Sequence, residues 1–156
     1  MKKTTAIAKI QENSTGMTVL MAIIGMLCLG AVILGVGDSF YHSTFAEKKE
    51  EMAQLLSTGT VFAVCAFIAS YIFRGISRTG IPFTESAVKA MKLIAEVLFA
   101  GSFLPNVLLS LFSGKYATLH GSFIEIAMLI PSILIFCFAQ FFSYGAMLQK
   151  ESDETV

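Results

Sequence analysis

The sequence predicts an all-α integral membrane protein, a bundle of four transmembrane helices running up and down, with residues 1–156 as a single domain. Three observations predict it. Four apolar stretches, Gly16–Val36, Met52–Phe73, Ala90–Phe112 and Ile124–Ala146, fill most of the 156 residues. Each supplies the roughly 20 apolar residues that a helix needs to cross a hydrocarbon core of about 30 Å. Hydrophobic residues make up 55% of the chain and charged residues only 14%, against the ~25% charged of an ordinary soluble domain. The mean hydropathy is +0.74. Finally, the stretches are apolar on every face, whereas a helix of a soluble bundle carries a polar face at a period of 3.6 residues.

The first stretch follows a basic leader, Lys2, Lys3 and Lys9. That order resembles a signal peptide, with Thr44 and Ala46 before a cut. The apolar run is about twice the length of a signal-peptide core, and Ala46 lies far past its end, so a retained anchor is expected. Gly25, Gly30 and Gly35 lie along this helix. The following segment carries Asp38 and His42, then Glu47, Lys48, Lys49, Glu50 and Glu51. The acidic members of this cluster suit the first turn of the second helix, where the helix dipole favours negative charge.

The second helix is rich in small residues, among them Ser57, Gly59, Ala63, Ala66, Ala69 and Ser70. Gly59/Ala63 and Ala66/Ser70 are four apart. In lipid such residues let two backbones approach closely, which marks this helix for the centre of the bundle.

A loop is expected from Arg74 to Glu85. Gly80 supplies a turn, Pro82 pushes Ile81 to an extended conformation, and Thr84 caps the third helix with Glu85 in its first turn. Ile81 or Phe83 can fold back on that helix as a hydrophobic staple.

The third helix carries a polar stripe. Glu85, Lys89, Lys92 and Glu96 fall on one face, continued by Phe99, Phe103, Asn106 and Ser110. Glu85/Lys89 and Lys92/Glu96 have the spacing of helical ion pairs. Pro105 is expected to loosen the later half. The fourth helix carries Glu125 at its start, Pro131, Gln140 and Ser143, and frays into an acidic tail of Lys150, Glu151, Asp153 and Glu154.

Lysine and arginine fix the expected orientation. With the N-terminus inside, Lys2, Lys3, Lys9, Arg74, Arg78, Lys89, Lys92 and Lys150 are cytoplasmic, and Lys48, Lys49 and Lys115 are outside. The excess places both termini in the cytoplasm.

Two segments, Gly80-Ile81-Pro82-Phe83-Thr84-Glu85 and the end Tyr144-Gly145 through Leu148-Gln149, Glu151 and Asp153-Glu154-Thr155, carry a resemblance. Together with the span order, they resemble the domain-of-unknown-function family twenty-nine seventy-five, small four-span bacterial membrane proteins. The resemblance implies a bacterial plasma membrane and no catalytic residues. It also suggests pairing with a small helix-turn-helix regulator, since some similar proteins are encoded beside one.

Candidate sites follow from the cost of polar groups in lipid. Lys92, Glu96, Asn106 and Gln140 are the candidate ligand or ion path, because intramembrane ionisable residues face a bundle interior or a wet cavity. The structural alternative is an interfacial Lys92–Glu96 pair with Asn106 and Gln140 binding helices together. Asp38, His42, His120 and Glu125 form a loose set of potential metal ligands, with solvated loop residues as the alternative. Glu151, Asp153 and Glu154 are the candidate docking residues for a basic partner, and Arg74 and Arg78 suit anionic headgroups.

No nucleophile elbow, phosphate-binding loop or zinc motif is present, so no enzyme and no cofactor is expected. Cys28, Cys65 and Cys137 lie in different spans and suggest neither zinc nor a disulfide framework. No basic run with interleaved aromatics argues for direct nucleic-acid binding. The expected role is a non-enzymatic regulatory component in the lipid bilayer. The alternative is a subunit of a small transporter or channel, which with only four helices predicts a homo-oligomer.

Overall fold

The computed structural model describes residues 2–42, 48–82, 84–113 and 123–154. It is all-helical: α1 (Lys2–Tyr41), α2 (Lys49–Thr79), α3 (Glu85–Ser113) and α4 (Phe123–Glu154). Each helix is long and apolar enough to cross a membrane. Every helix also outruns its apolar stretch, because leaving the apolar run does not end the backbone hydrogen-bond ladder. A stop requires a residue that breaks the ladder.

Gly80 is that stop for α2. It adopts the left-handed conformation (φ 70°), and its N–H donates to the Ile76 carbonyl at 2.7 Å. Glycine takes this conformation without the steric cost of a side chain. The expected loop from Arg74 is therefore corrected: Arg74–Thr79 are the last turns of α2, and only 80–84 connect to α3. Thr84 caps α3 as expected, its Oγ1 accepting from Ala87 N–H at 3.2 Å. Ile81 is exposed rather than folded back as a staple, and Phe83 lies outside the described residues. α4 stays helical to Glu154 instead of fraying. α3 passes through Pro105 as one helix. Thr44, Ala46, Glu47, Lys115 and His120 lie outside the described residues.

The helices pack in chain order. α1 lies on α2, α2 on α3 and α3 on α4, and no other pair shares more than a marginal contact among the described residues. The core forms where α2, α3 and α4 converge: Val61 and Cys65, Ile94 and Leu98, and Met128. α1 adds nothing to that cluster, and Val32 is its one buried apolar side chain among the described residues.

Small residues of α2 set the α1–α2 distance. A side chain on Gly59 would collide with Val32, and one on Gly35 of α1 with Leu55. Ser70 Oγ donates across the seam to the Thr18 carbonyl at 3.1 Å. α2 and α3 are similarly close at Gly101, where a Cβ would stand 2.6 Å from Val61 Cγ2. The small-residue reading of α2 is thus seen in its packing, though α2 shares the interior with α3.

Candidate functional site

The polar stripe of α3 borders the seam with α4. At one end Asn106 Nδ2 donates to Glu125 Oε1, in the first turn of α4, at 2.6 Å. A carboxylate acceptor makes such a bond shorter and stronger than one between neutral groups. Both residues are half-buried. At the other end Glu85, Lys89 and Lys92 face Ser143, Met147 and Lys150 across a groove of about 260 Å³. The α3 residues recur at three- and four-residue steps, so one helical face supplies both ends of the seam.

Between these ends the stripe of α3 carries Glu96 and two aromatic residues. Phe99 and Phe103 stack edge-to-face at 5.4 Å, and both are exposed. Glu96 is exposed, and no ion pair joins it to Lys92 or joins Glu85 to Lys89 among the described residues. The expected Lys92–Glu96 pair is thereby corrected: Lys92 is a half-buried wall of the groove instead. Gln140 is exposed; three residues before Ser143 and seven before Met147, it lies on the groove side of α4.

Lys92 and Asn106 therefore border one seam, at a basic groove and at a half-buried bond, while Glu96 and Gln140 are exposed on the same helical faces by register. Phe99 and Phe103 share the stripe of α3, so its polar residues are not consecutive along the face.

The loose metal set is not assembled. His42 Nδ1 stands 3.2 Å from Asp38 Oδ1 and its backbone N–H donates to the Asp38 carbonyl, a contact within one helical turn. Glu125 is engaged by Asn106, and His120 lies outside the described residues. Among the described residues no three His, Cys, Asp or Glu side chains converge.

The docking candidates sit on the last turns of α4. Glu151 and Glu154 are exposed, Lys150 Nζ lies 4.0 Å from Glu154 Oε1, and Asp153 shares this helical stretch. The α3–α4 groove puts this end of α4 beside the start of α3, and a cleft between Arg74, Arg78 and Thr84 puts the start of α3 beside the end of α2. Gln11 Nε2 donates to the Arg78 carbonyl at 3.4 Å, which brings the early part of α1 to the same end.

No family model, curated protein or solved structure matches this chain. The site thus rests on its own chemistry: a lysine-rich groove, an adjacent acidic helix end and a polar bond at the far end of one seam.

One inter-helix contact has no signal in the sequence. Lys49 Nζ donates to the Phe112 carbonyl at 3.0 Å, tying the first turn of α2 to the end of α3. Lys49 reads as part of a solvated charge cluster, and only the turn that brings α3 back places a carbonyl of its last turn within reach.

Proposed function

We propose that the protein is a multi-pass component of a bacterial plasma membrane, with up-and-down helices and both termini cytoplasmic. We assign it a non-enzymatic regulatory or signalling role. The observation that supports this is the unbroken helix of α4, which runs from the Asn106–Glu125 bond, past the lysine-rich groove, to Glu151 and Glu154. A change at the α3–α4 seam is carried by one rigid element to an acidic surface. That surface suits a basic cytoplasmic partner by complementary charge. A small helix-turn-helix protein, the partner suggested by the family resemblance, has that character.

The test is co-purification of the detergent-solubilised protein with such a partner expressed beside it. Trimming after Gln149 is expected to abolish the complex. A complex that survives the trimming overturns the assignment of Glu151, Asp153 and Glu154.

A second reading is favoured by the exposure of Glu96 on α3 and Gln140 on α4. A carboxylate facing lipid is costly, and a second copy would cover it. Such an oligomer suits a small transporter or channel. This reading expects solute or ion flux in proteoliposomes, lost with Glu96→Gln; no flux from the wild-type chain refutes it.

A further inference from the structure

We propose that the groove between α1 and α2 is a binding site for one anionic phospholipid. Its phosphate sits on Arg74 and Arg78, and one acyl chain lies along Val19, Ala22, Ile23 and Met26. The proposal rests on the reading that α1 and α2 stand in a bilayer, and adds a specific ligand that the regulatory role does not require.

Three observations carry it. The groove measures about 570 Å³, within the ~300–1,000 Å³ of small-molecule sites. Its chemistry is divided along its length. Arg74 and Arg78 stand at the mouth, near the α2–α3 turn, and the α1 wall beyond them is apolar from Val19 to Met26.

The groove also has the length of a leaflet. Thr15 and Met26 mark its extent along α1, and eleven residues at 1.5 Å each span roughly 16 Å. Half of a ~30 Å hydrocarbon core is nearly the same depth. A free phosphate would use the two arginines and leave this apolar length without a role.

The third observation is charge. Arg74 and Arg78 are exposed, one helical turn apart, and neither meets a carboxylate among the described residues. Like charges at this spacing repel, and an anion between them removes the repulsion. Guanidinium forks match phosphate oxygens two at a time. The nearby hydroxyls do not compete for it: Ser70, Thr18 and Ser77 each donate to a backbone carbonyl. Basic pockets between membrane helices are a recurrent way of holding anionic headgroups.

The test uses the full chain in neutral detergent micelles doped equally with phosphatidylglycerol and phosphatidylcholine, with retained lipid counted by native mass spectrometry. The wild-type chain is expected to retain phosphatidylglycerol preferentially. Arg74→Gln and Arg78→Gln are each expected to lower that preference about fivefold, the size of one interfacial basic contact. Ala22→Phe, which fills the apolar wall, is expected to reduce retention with both arginines in place. Millimolar inorganic phosphate is expected not to displace the lipid.

Equal retention of the two lipids overturns the site, as does a preference that survives both arginine substitutions. Displacement by phosphate together with an inert Ala22→Phe shows an anion site without an acyl groove, which also overturns it. Failure of the membrane reading is seen separately, as release of the wild-type chain from vesicles by alkaline carbonate. Arg74→Lys/Arg78→Lys keeps the charge without the fork and guards against loss of fold: it is expected to retain more of the preference than Arg74→Gln/Arg78→Gln.

Discussion

The α1–α2 seam and the α3–α4 seam hold their helices by different physics. At α1–α2, Gly35 and Gly59 remove side chains so that the helices close on Leu55 and Val32, and the cross-helix polar contacts end on backbone carbonyls at Thr18 and Arg78. At α3–α4 two side chains bond to each other, Asn106 to Glu125, and the opposite end opens into a lysine-lined groove. In lipid the tails are as apolar as the helices, so association must come from close packing or from hydrogen bonds. This molecule uses the first where the shape is fixed and the second where charge is exposed. Both seams open at the end near the α2–α3 turn, but the α1–α2 seam is closed by helix approach at Gly35 and Gly59, whereas the α3–α4 seam is tied at its far end by one side-chain pair.

The sharpest way to break the contrast is Gly59→Leu. Overpacking against Val32 is expected to cost ~1–3 kcal/mol, read as a lowered unfolding midpoint in detergent. Val32→Ala in the same chain is expected to restore part of it. An unchanged midpoint would remove close approach as the force that holds α1.

Thr84→Ala acts at the junction of the two pairs. It is expected to cost about 1 kcal/mol and to speed hydrogen exchange of the first α3 amides, while Thr84→Ser preserves protection. Asn106→Leu addresses the other seam and is expected to cost about 0.6 kcal/mol, the average for a hydrogen bond between membrane helices. A double-mutant cycle with Glu125→Gln measures that bond, and strictly additive effects would dismiss it. Ser70→Ala should lower the midpoint least, by under about 0.6 kcal/mol, because Thr18 keeps its carbonyl partner within α1. A cost equal to that of Gly59→Leu would show that hydrogen bonding, rather than shape, dominates the first seam.

Several features of the site are legible before any tertiary contact is known. The Gly80 turn and the Thr84 cap follow from local backbone chemistry. The face shared by Glu85, Lys89, Lys92 and Asn106 follows from helical period. Arg74–Thr79 read as loop in the sequence because they follow the apolar run, although the helix ends only where Gly80 turns left-handed. Lys92 and Glu96 have the right spacing for an ion pair, yet spacing only permits a contact. A lysine with a groove beside it has a competing place to lie.

Sequence alone accounts for the four long apolar helices, the turn at Gly80 and the Thr84 cap of α3. Those features depend on hydropathy and on atoms within a turn or two of each other. Tertiary packing sets α1 outside the core, brings Asn106 to a carboxylate 19 residues away and lets Lys49 reach the end of α3. The reason is that an evenly apolar helix has no preferred side in lipid. Its neighbours are chosen by the shape of small residues and by single polar partners distant in the chain, and neither is written in hydropathy.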